Sequence, residues 1–303
     1  MVINSKSLLA AAALMPLSAL PLPVQAWNFE GHVIVAEIAY QNLTPVARDK
    51  VDALTAKAVN ALPKKTQHII GSYKDVSAFA QLAVVPDMIR KQPAQSVWQQ
   101  MGEAMPPSLN RWDEKKTNQW HYINAVYPTN SQCNFVRKPN IQLATQALYA
   151  DFNGHPQAAS LMFIAHLTGD AHQPLHTVAT SLSKYWCKSD LGGNKYTLKG
   201  PKKNLHHLWD DGLGLLDDKQ QVLELVTALQ QEYPKATLTL GQPGDVARWI
   251  EESEQLAPLV YSVKQNAQPT QTYIQQGQAV VEKRLALAGY RLADGLNHAL
   301  GTK

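Results

Sequence analysis

PQAASLMFIAHLTGDAHQPLH, residues 156–176, sets apolar side chains at helical spacing from Ala158 to Leu167 and then turns polar. That periodicity predicts a helix running from Pro156, tolerated in a first turn, to about His172. Pro174 then ends it. On such a helix His166 and Asp170 lie four residues apart on one face, so an imidazole and a carboxylate converge. His176, after the turn, can swing back to the same side. His172 sits six residues from His166, off that face, and is left out of the set. Taken alone, the pair fits either an ordinary hydrogen-bonded His/Asp couple or the start of a metal site.

Similar apolar spacing recurs over 33–40, 46–59, 76–82, 141–152, 222–231, 246–263 and 273–300, which predicts an all-α, mostly helical fold. Thr44-Pro45 and His155-Pro156 read as helix starts. Residues 94–118 and 127–140, rich in Pro, Asn, Gln and Ser, read as surface excursions, and Lys195-Tyr-Thr-Leu-Lys199 as a short strand. No repeat of fixed period interrupts the pattern.

The first 26 residues have the layout of an export signal: Lys6 in a short positive region, an apolar run from Leu8 to Met15, and a small-residue cleavage site ending at Ala26. The mature chain is therefore expected to start at Trp27, with residues 27–303 as one domain in the periplasm or outside the cell. No later segment offers the roughly 18 uninterrupted apolar residues of a membrane span. A net charge of +4 is too weak to argue by itself for nucleic acid or membrane. Cys133 and Cys187 are the only cysteines; an oxidising compartment favours a disulfide between them, and two cysteines exclude a four-cysteine zinc site.

A second stretch, NLHHLWD (Asn204–Asp210), repeats the spacing with His206 and Asp210. Two such pairs in one helical, exported chain suggest several metal ions, and imidazole with carboxylate and no thiolate is the donor mixture of hydrolytic zinc. His207 faces away from His206. At the expected mature terminus, Trp27-Asn-Phe-Glu-Gly-His32 sets a free α-amino group five residues before a histidine. Such a terminus either frays or chelates a metal through its amine and carbonyl.

Together these stretches resemble one family, the single-strand-specific zinc nucleases of the fungal S-one/P-one type. The family patterns W-x-x-x-x-H, D-x-x-R, H-[FY]-[IV]-[DN], H-x-x-G-D-x-x-Q-P-L-H, G-G-N and N-L-H-x-x-W-D occur here in order. They fall at Trp27/His32, Asp87/Arg90, His121-Tyr122-Ile123-Asn124, His166–His176, Gly192-Gly193-Asn194 and Asn204–Asp210. The resemblance implies a three-zinc cluster. Asp87, His121 and His166 would hold one ion, His176, His206 and Asp210 a second, and the Trp27 amine and carbonyl with His32 a third. Asp170 would bridge the first and third.

It also implies hydrolysis of single-stranded DNA and RNA to 5′-nucleotides and removal of phosphate from 3′-nucleotides. Water would be activated between two of the ions, and the departing 3′ oxygen would be met by the other. Asp87, Arg90 and Asp170 fall at catalytic positions, with Arg90 neutralising charge on the phosphoryl oxygens. Tyr122, Asn124 and Asn194 fall at substrate-binding positions, Tyr122 as the stacking aromatic. Extruding a base is easy in single strands and costly in duplex, which gives the strand preference.

The sequence departs from the family at three points. Asn124 replaces an acidic residue, so base preference is open to change. Val85-Pro86 precede Asp87 where an aromatic is common. One disulfide is possible where the fungal enzymes have two. Lys195, Lys199, Lys202 and Lys203 either track a phosphate backbone or are solvated loop lysines. No stable protein partner is implied, and a monomer is expected. The competing functions are a zinc-dependent phospholipase C, whose cluster is of the same kind, and a non-catalytic zinc-binding protein.

Overall fold

Helical periodicity in the sequence becomes helix almost wherever it is read. The computed structural model describes residues 27–218 and 221–301, so the export signal expected over 1–26 lies outside the described residues. The helices are α1 (Phe29–Gln41), α2 (Pro45–Ala61), α3 (Lys64–Ile70), α4 (Ala78–Leu82), α5 (Val85–Ile89), α6 (Ala94–Gln100) and α7 (Ile141–Phe152). They continue with α8 (Ala158–Asp170), α9 (Pro174–Thr177), α10 (Leu205–Asp210), α11 (Val222–Glu232), α12 (Val246–Glu254), α13 (Ala257–Val260) and α14 (Gln271–Leu300). At 59% helix with two short strands, the fold is all-α. No described helix is long and apolar enough to cross a membrane.

α8 is the axis of the molecule. Every one of its residues is buried, which suits a helix apolar on all sides, with α1, α2, α7 and α14 packed around it. Its first free N–H groups, those of Ala158 and Ala159, are received by the Glu103 carboxylate at 2.9 and 3.0 Å, an anion at the positive end of the helix dipole. Its other end delivers His166 and Asp170 to the interior. α1 runs alongside, buried from Gly31 to Ala39. α14 crosses it so closely that a Cβ on Gly289 would fall 2.5 Å from Ile38 Cγ2.

Three sequence expectations are corrected. Residues 94–118 are not simply a surface excursion: Trp98, Leu109 and Trp112 are buried, and Trp98 stacks on Phe163 of α8, ring centroids 5.5 Å apart. Widely spaced aromatics anchor a window whose polar majority hides them. The stretch 246–263 is two helices, because Pro258 has no N–H to continue a ladder and can sit only in the first turn of α13. Lys195–Lys199 forms no strand, only an isolated bridge from Thr197 to Asn204.

The strands lie elsewhere: β1 (Ala125–Tyr127) pairs in parallel with β2 (Val178–Thr180). Three residues are too few to leave a periodic signal. Their place matters more than their length, since β1 follows His121–Asn124 and β2 follows His176.

A second polar layer braces α14. Arg284 and Arg291 are buried and share the Glu252 carboxylate at 3.1 and 2.7 Å. His172 belongs here, with its Nδ1 donating to Thr168 O at 2.7 Å and its Nε2 accepting from Arg291.

Candidate metal centre and substrate pocket

The HLTGDAHQPLH stretch ends α8, turns, and enters α9, so its polar groups face inward from two elements. His32 on α1, Asp87 on α5, and His206 with Asp210 on α10 point to the same region. Three groups of donors result: His32, His166 and Asp170; Asp87, His121 and His166; and His176, His206 and Asp210. Within each group the donor atoms lie within 4.8 Å of one another, and all are buried. Two glycines make the approach possible. A Cβ on Gly169 would come 3.0 Å from His32 Nδ1, and one on Gly192, at φ +60, would come 2.3 Å from Leu175 O.

Backbone carbonyls aim the imidazoles. His166 Nδ1 donates to Ala83 O at 2.7 Å, His176 Nδ1 to His121 O at 2.5 Å, and His206 Nδ1 to Gly192 O at 2.5 Å. A carbonyl can only accept, so each Nδ1 carries the proton and each Nε2 presents a lone pair to the cluster. That is how outer partners orient metal-binding histidines. His121 is turned the other way. Its Nδ1 is 3.0 Å from His166 Nε2, 3.0 Å from Asp170 Oδ2 and 3.6 Å from Asp87 Oδ1.

Burial lowers the pKa of His32, His121, His166 and His176, keeping them neutral. A neutral His121 therefore has at most one proton on Nδ1 to share among three neighbouring acceptor atoms. Burial also raises the Asp170 carboxyl to about 6 and pushes Asp210 well above the usual carboxylate range.

Several of these atoms have nothing to bond. Both His32 ring nitrogens, His121 Nε2, His176 Nε2 and Asp170 Oδ1 are buried without a hydrogen-bond partner. Leaving such groups unsatisfied costs about 1–3 kcal/mol each, a penalty a divalent cation removes. Lone pairs from neutral imidazoles and carboxylate oxygens, with no thiolate, fit zinc. His166 is shared by the first two groups, and Asp170 approaches a member of each of the three, with Oδ1 3.4 Å from His32 Nε2 and 3.6 Å from His176 Nδ1 and Oδ2 3.2 Å from His166 Nε2. Asp210 Oδ2 lies 3.3 Å from His206 Nε2. Gln173, unassigned by sequence reasoning beyond its place in the motif, donates to Asp210 Oδ1 at 2.6 Å.

Above the donors lies a cavity of about 540 Å³ lined by Arg90, His121, Tyr122, Asn124, His176, Asn194 and His206, among others. Arg90 Nη1 stands 3.9 Å from Asp87 Oδ1. Tyr122 is half-buried on the wall; burial pushes its phenol up, against the charges of Arg137 and Arg90. Asn124 holds a positive φ of 59, and Asn194 Nδ2 donates to Leu191 O.

Lys91 and Lys116 also line the cavity. Sequence reasoning missed them, and their only signal was proximity to Arg90 and to His121. Of the lysines it did consider, Lys202 is tied to Asp211 and Asp217, and none lines this cavity. Trp27 is fully buried, its indole Nε1 donating to Gly169 O at 2.9 Å, while the Asn28 N–H reaches Asp210 O at 3.0 Å. His207 points outward. Cys133 and Cys187 are disulfide-bonded.

The sequence profile of the family described as S1/P1 Nuclease matches residues 27–301. This chain belongs to that family of zinc-dependent nucleases, and its activity is nucleic-acid hydrolysis. Among named proteins it is similar to Endonuclease 1 of Arabidopsis thaliana, 27% identical over 309 residues, covering 90% of this chain and 87% of that one. Endonuclease 2 of the same plant is 25% identical over 320 residues, covering 92% of each. Nuclease S1 of Aspergillus oryzae is 36% identical over a stretch of 75 residues, covering 24% of this chain and 23% of that one.

Proposed function

We propose that this protein is an exported endonuclease that cuts single-stranded DNA and RNA to 5′-nucleotides and also removes phosphate from 3′-nucleotides, using three zinc ions. The observation that carries this reading is three buried His/Asp groups, two of them sharing His166 and each with a member within 4 Å of Asp170, beneath a cavity walled by Tyr122. Asp87, His121 and His166 hold one ion, and His176, His206 and Asp210 another. His32 with Asp170 holds the third, completed by the amine and carbonyl of Trp27 once the leader ending at Ala26 has been removed. In support of that last assignment, the Trp27 indole is fixed to Gly169, the neighbour of Asp170.

Zinc, when bound, supplies Lewis acidity for a water nucleophile and for the leaving oxygen. The remaining work falls to side chains. Tyr122 stacks on an extruded base, and Asn124 and Asn194 present amides to its edge and to the sugar-phosphate. An amide at Asn124 both donates and accepts, so this pocket tolerates bases that a carboxylate would select between. Arg90 meets charge on the phosphoryl oxygens, assisted by Lys91 and Lys116 on the adjoining wall. Residues 27–303 act as one domain and as a monomer in the periplasm or outside the cell.

The same donors could serve a phospholipase C, so the deciding experiment compares substrates. Correctly processed protein is given heat-denatured DNA, duplex DNA and phosphatidylcholine vesicles, with and without EDTA, after its zinc content has been counted. Chelator-sensitive cleavage of denatured over duplex DNA, with three zinc ions per chain, is expected. Vesicle hydrolysis without DNA cleavage by the fully loaded protein would replace the proposal with the lipase reading. No turnover of any substrate would leave a zinc-binding protein.

A further inference from the structure

The most exposed aromatic surface among the described residues is not in the cavity. Tyr185 and Trp186 are adjacent, 87% and 66% exposed, with ring centroids 6.1 Å apart and planes at 40°. Exposing two large rings is costly, and the loop that carries them is held in shape. Leu182 N–H donates to Lys188 O at 2.8 Å. The Ser181 hydroxyl meets Trp186 O and the Lys188 N–H. The root of this hairpin is the pair Thr180 and Asp190, joined by Asp190 N–H to Thr180 O. Immediately beyond it, Leu191 and Asn194 line the substrate cavity.

The Cys133–Cys187 bond ties the hairpin to residues 128–139, the segment that leaves β1 beside Tyr122. Arg137 of that segment stands near enough to Tyr122 for its charge to act on the phenol. The two bonded segments, 128–139 and 181–189, carry Arg137, Lys138, Lys184 and Lys188 and contain no aspartate or glutamate. The chain as a whole is close to balance, 28 basic against 24 acidic residues. Local excess charge beside exposed π faces suits a flexible polyanion whose units also stack. A lipid surface is disfavoured, because the hairpin otherwise offers serines and one aliphatic residue, Leu182.

We propose that Tyr185 and Trp186 form a second, distal stacking platform that holds single-stranded nucleic acid several nucleotides away from the scissile phosphate. The Lys184, Lys188, Arg137 and Lys138 side chains track the intervening backbone. Because it extends the substrate path of the nuclease reading, the proposal rests on that reading for its catalytic consequence. Binding at the platform can be measured without it. Short substrates that fill only the cavity would not reach the rings, so the platform sets a preference for longer strands.

Trp186 makes the test direct, since the other six tryptophans are buried. Zinc-loaded wild-type protein is titrated with a fifteen-nucleotide phosphorodithioate oligothymidylate, charged but resistant to hydrolysis, while tryptophan emission is followed. Quenching is expected in wild type and its loss in Trp186→Ala. In the Tyr185→Ala/Trp186→Ala variant, KM for an ordinary oligothymidylate of that length should rise about 5-fold or more, with kinetics on the dinucleotide TpT unchanged.

Absence of quenching in wild type, or an unchanged KM for the long substrate, would overturn the platform. Quenching by phosphatidylglycerol vesicles but not by the oligonucleotide would replace it with a membrane contact. If wild type quenches but cuts neither substrate, the platform stands and the nuclease reading falls.

Discussion

Replacing Gln173 by leucine should weaken one metal group and spare the other two. Gln173 Nε2 donates to Asp210 Oδ1 at 2.6 Å, and Gln173 itself is fully buried. Asp210 is also buried, and burial, with the charges of Asp211, Asp87 and Asp170, pushes its carboxyl well above the usual range; the Gln173 hydrogen bond is the largest effect in the opposite direction. A hydrogen bond to a buried charged group contributes about 1.5–3 kcal/mol, which corresponds to roughly 10- to 100-fold in affinity. Loss of an outer partner of a metal ligand is expected to cost about the same, 10- to 100-fold. Two independent routes therefore give one magnitude.

The assay is zinc competition against a chromophoric chelator, read as a stepwise isotherm. Gln173→Leu should show one step weakened by that factor and two unchanged. Gln173 Oε1 also accepts the Leu175 N–H at 2.6 Å, so a fall in melting temperature is expected too, worth about 1 kcal/mol of capping. That loss is separable, because it does not alter the stoichiometry of one step alone. Wild-type affinity at every step would refute the role assigned to Gln173. Equal weakening of all steps would show that it acts through the fold rather than through Asp210.

Other outcomes follow from the same geometry. Protein retaining one residue before Trp27 should bind one zinc fewer and lose most activity, checked by metal counting and nuclease assay on matched preparations. Tyr122→Ala should raise KM for denatured DNA about 5- to 100-fold, from a stacking loss of about 1–3 kcal/mol, and narrow the preference over duplex measured side by side. Glu252 is half-buried, which raises its carboxyl, yet Arg291, Arg248 and Arg284 together overcome that burial and hold it at about 2. Its stabilising effect is thus complete above an unfolded carboxyl's value near ~4.5 and fades as pH falls toward 2. Glu252→Gln should cost about 3 kcal/mol at neutral pH by stranding two buried guanidinium groups, and the difference in melting temperature should shrink below pH 4.

Two donor pairs were legible from helical spacing, which states which side chains share a face, whereas Asp87, His121 and the division into three metal groups came from the resemblance to the zinc nucleases. His166 with Asp170 and His206 with Asp210 could be read from the i, i+4 rule alone, and His172 could be set aside by the same geometry. The carbonyls that aim the imidazoles could not be read, since Ala83 O, His121 O and Gly192 O belong to backbone that any sequence possesses. Buried Trp98 and Trp112 were hidden by polar neighbours in the window 94–118. The β1/β2 pair was hidden by its length. Lys91 and Lys116 look like any surface lysine until the cavity is seen, whereas Lys202, which the sequence left open between a phosphate contact and a solvated loop lysine, is held by Asp211 and Asp217.

The charge of this protein is arranged rather than accumulated, and that resolves an apparent conflict between a modest net charge of +4 and a polyanionic substrate. At the floor of the cavity Asp87, Asp170 and Asp210 are buried, and burial keeps His32, His121, His166 and His176 neutral, so the floor offers lone pairs suited to a cation. Removing water there strengthens every later electrostatic contact, because the same separation carries more energy at low dielectric. At the wall and rim, Arg90, Lys91 and Lys116 remain in contact with solvent, where they can exchange counterions for phosphates. A uniformly basic protein would attract duplex and single strand alike. On the proposed reading, a phosphate would reach the buried centre only if its strand could bend into the cavity and give up a base to Tyr122, so selection would fall on flexibility before any base is read.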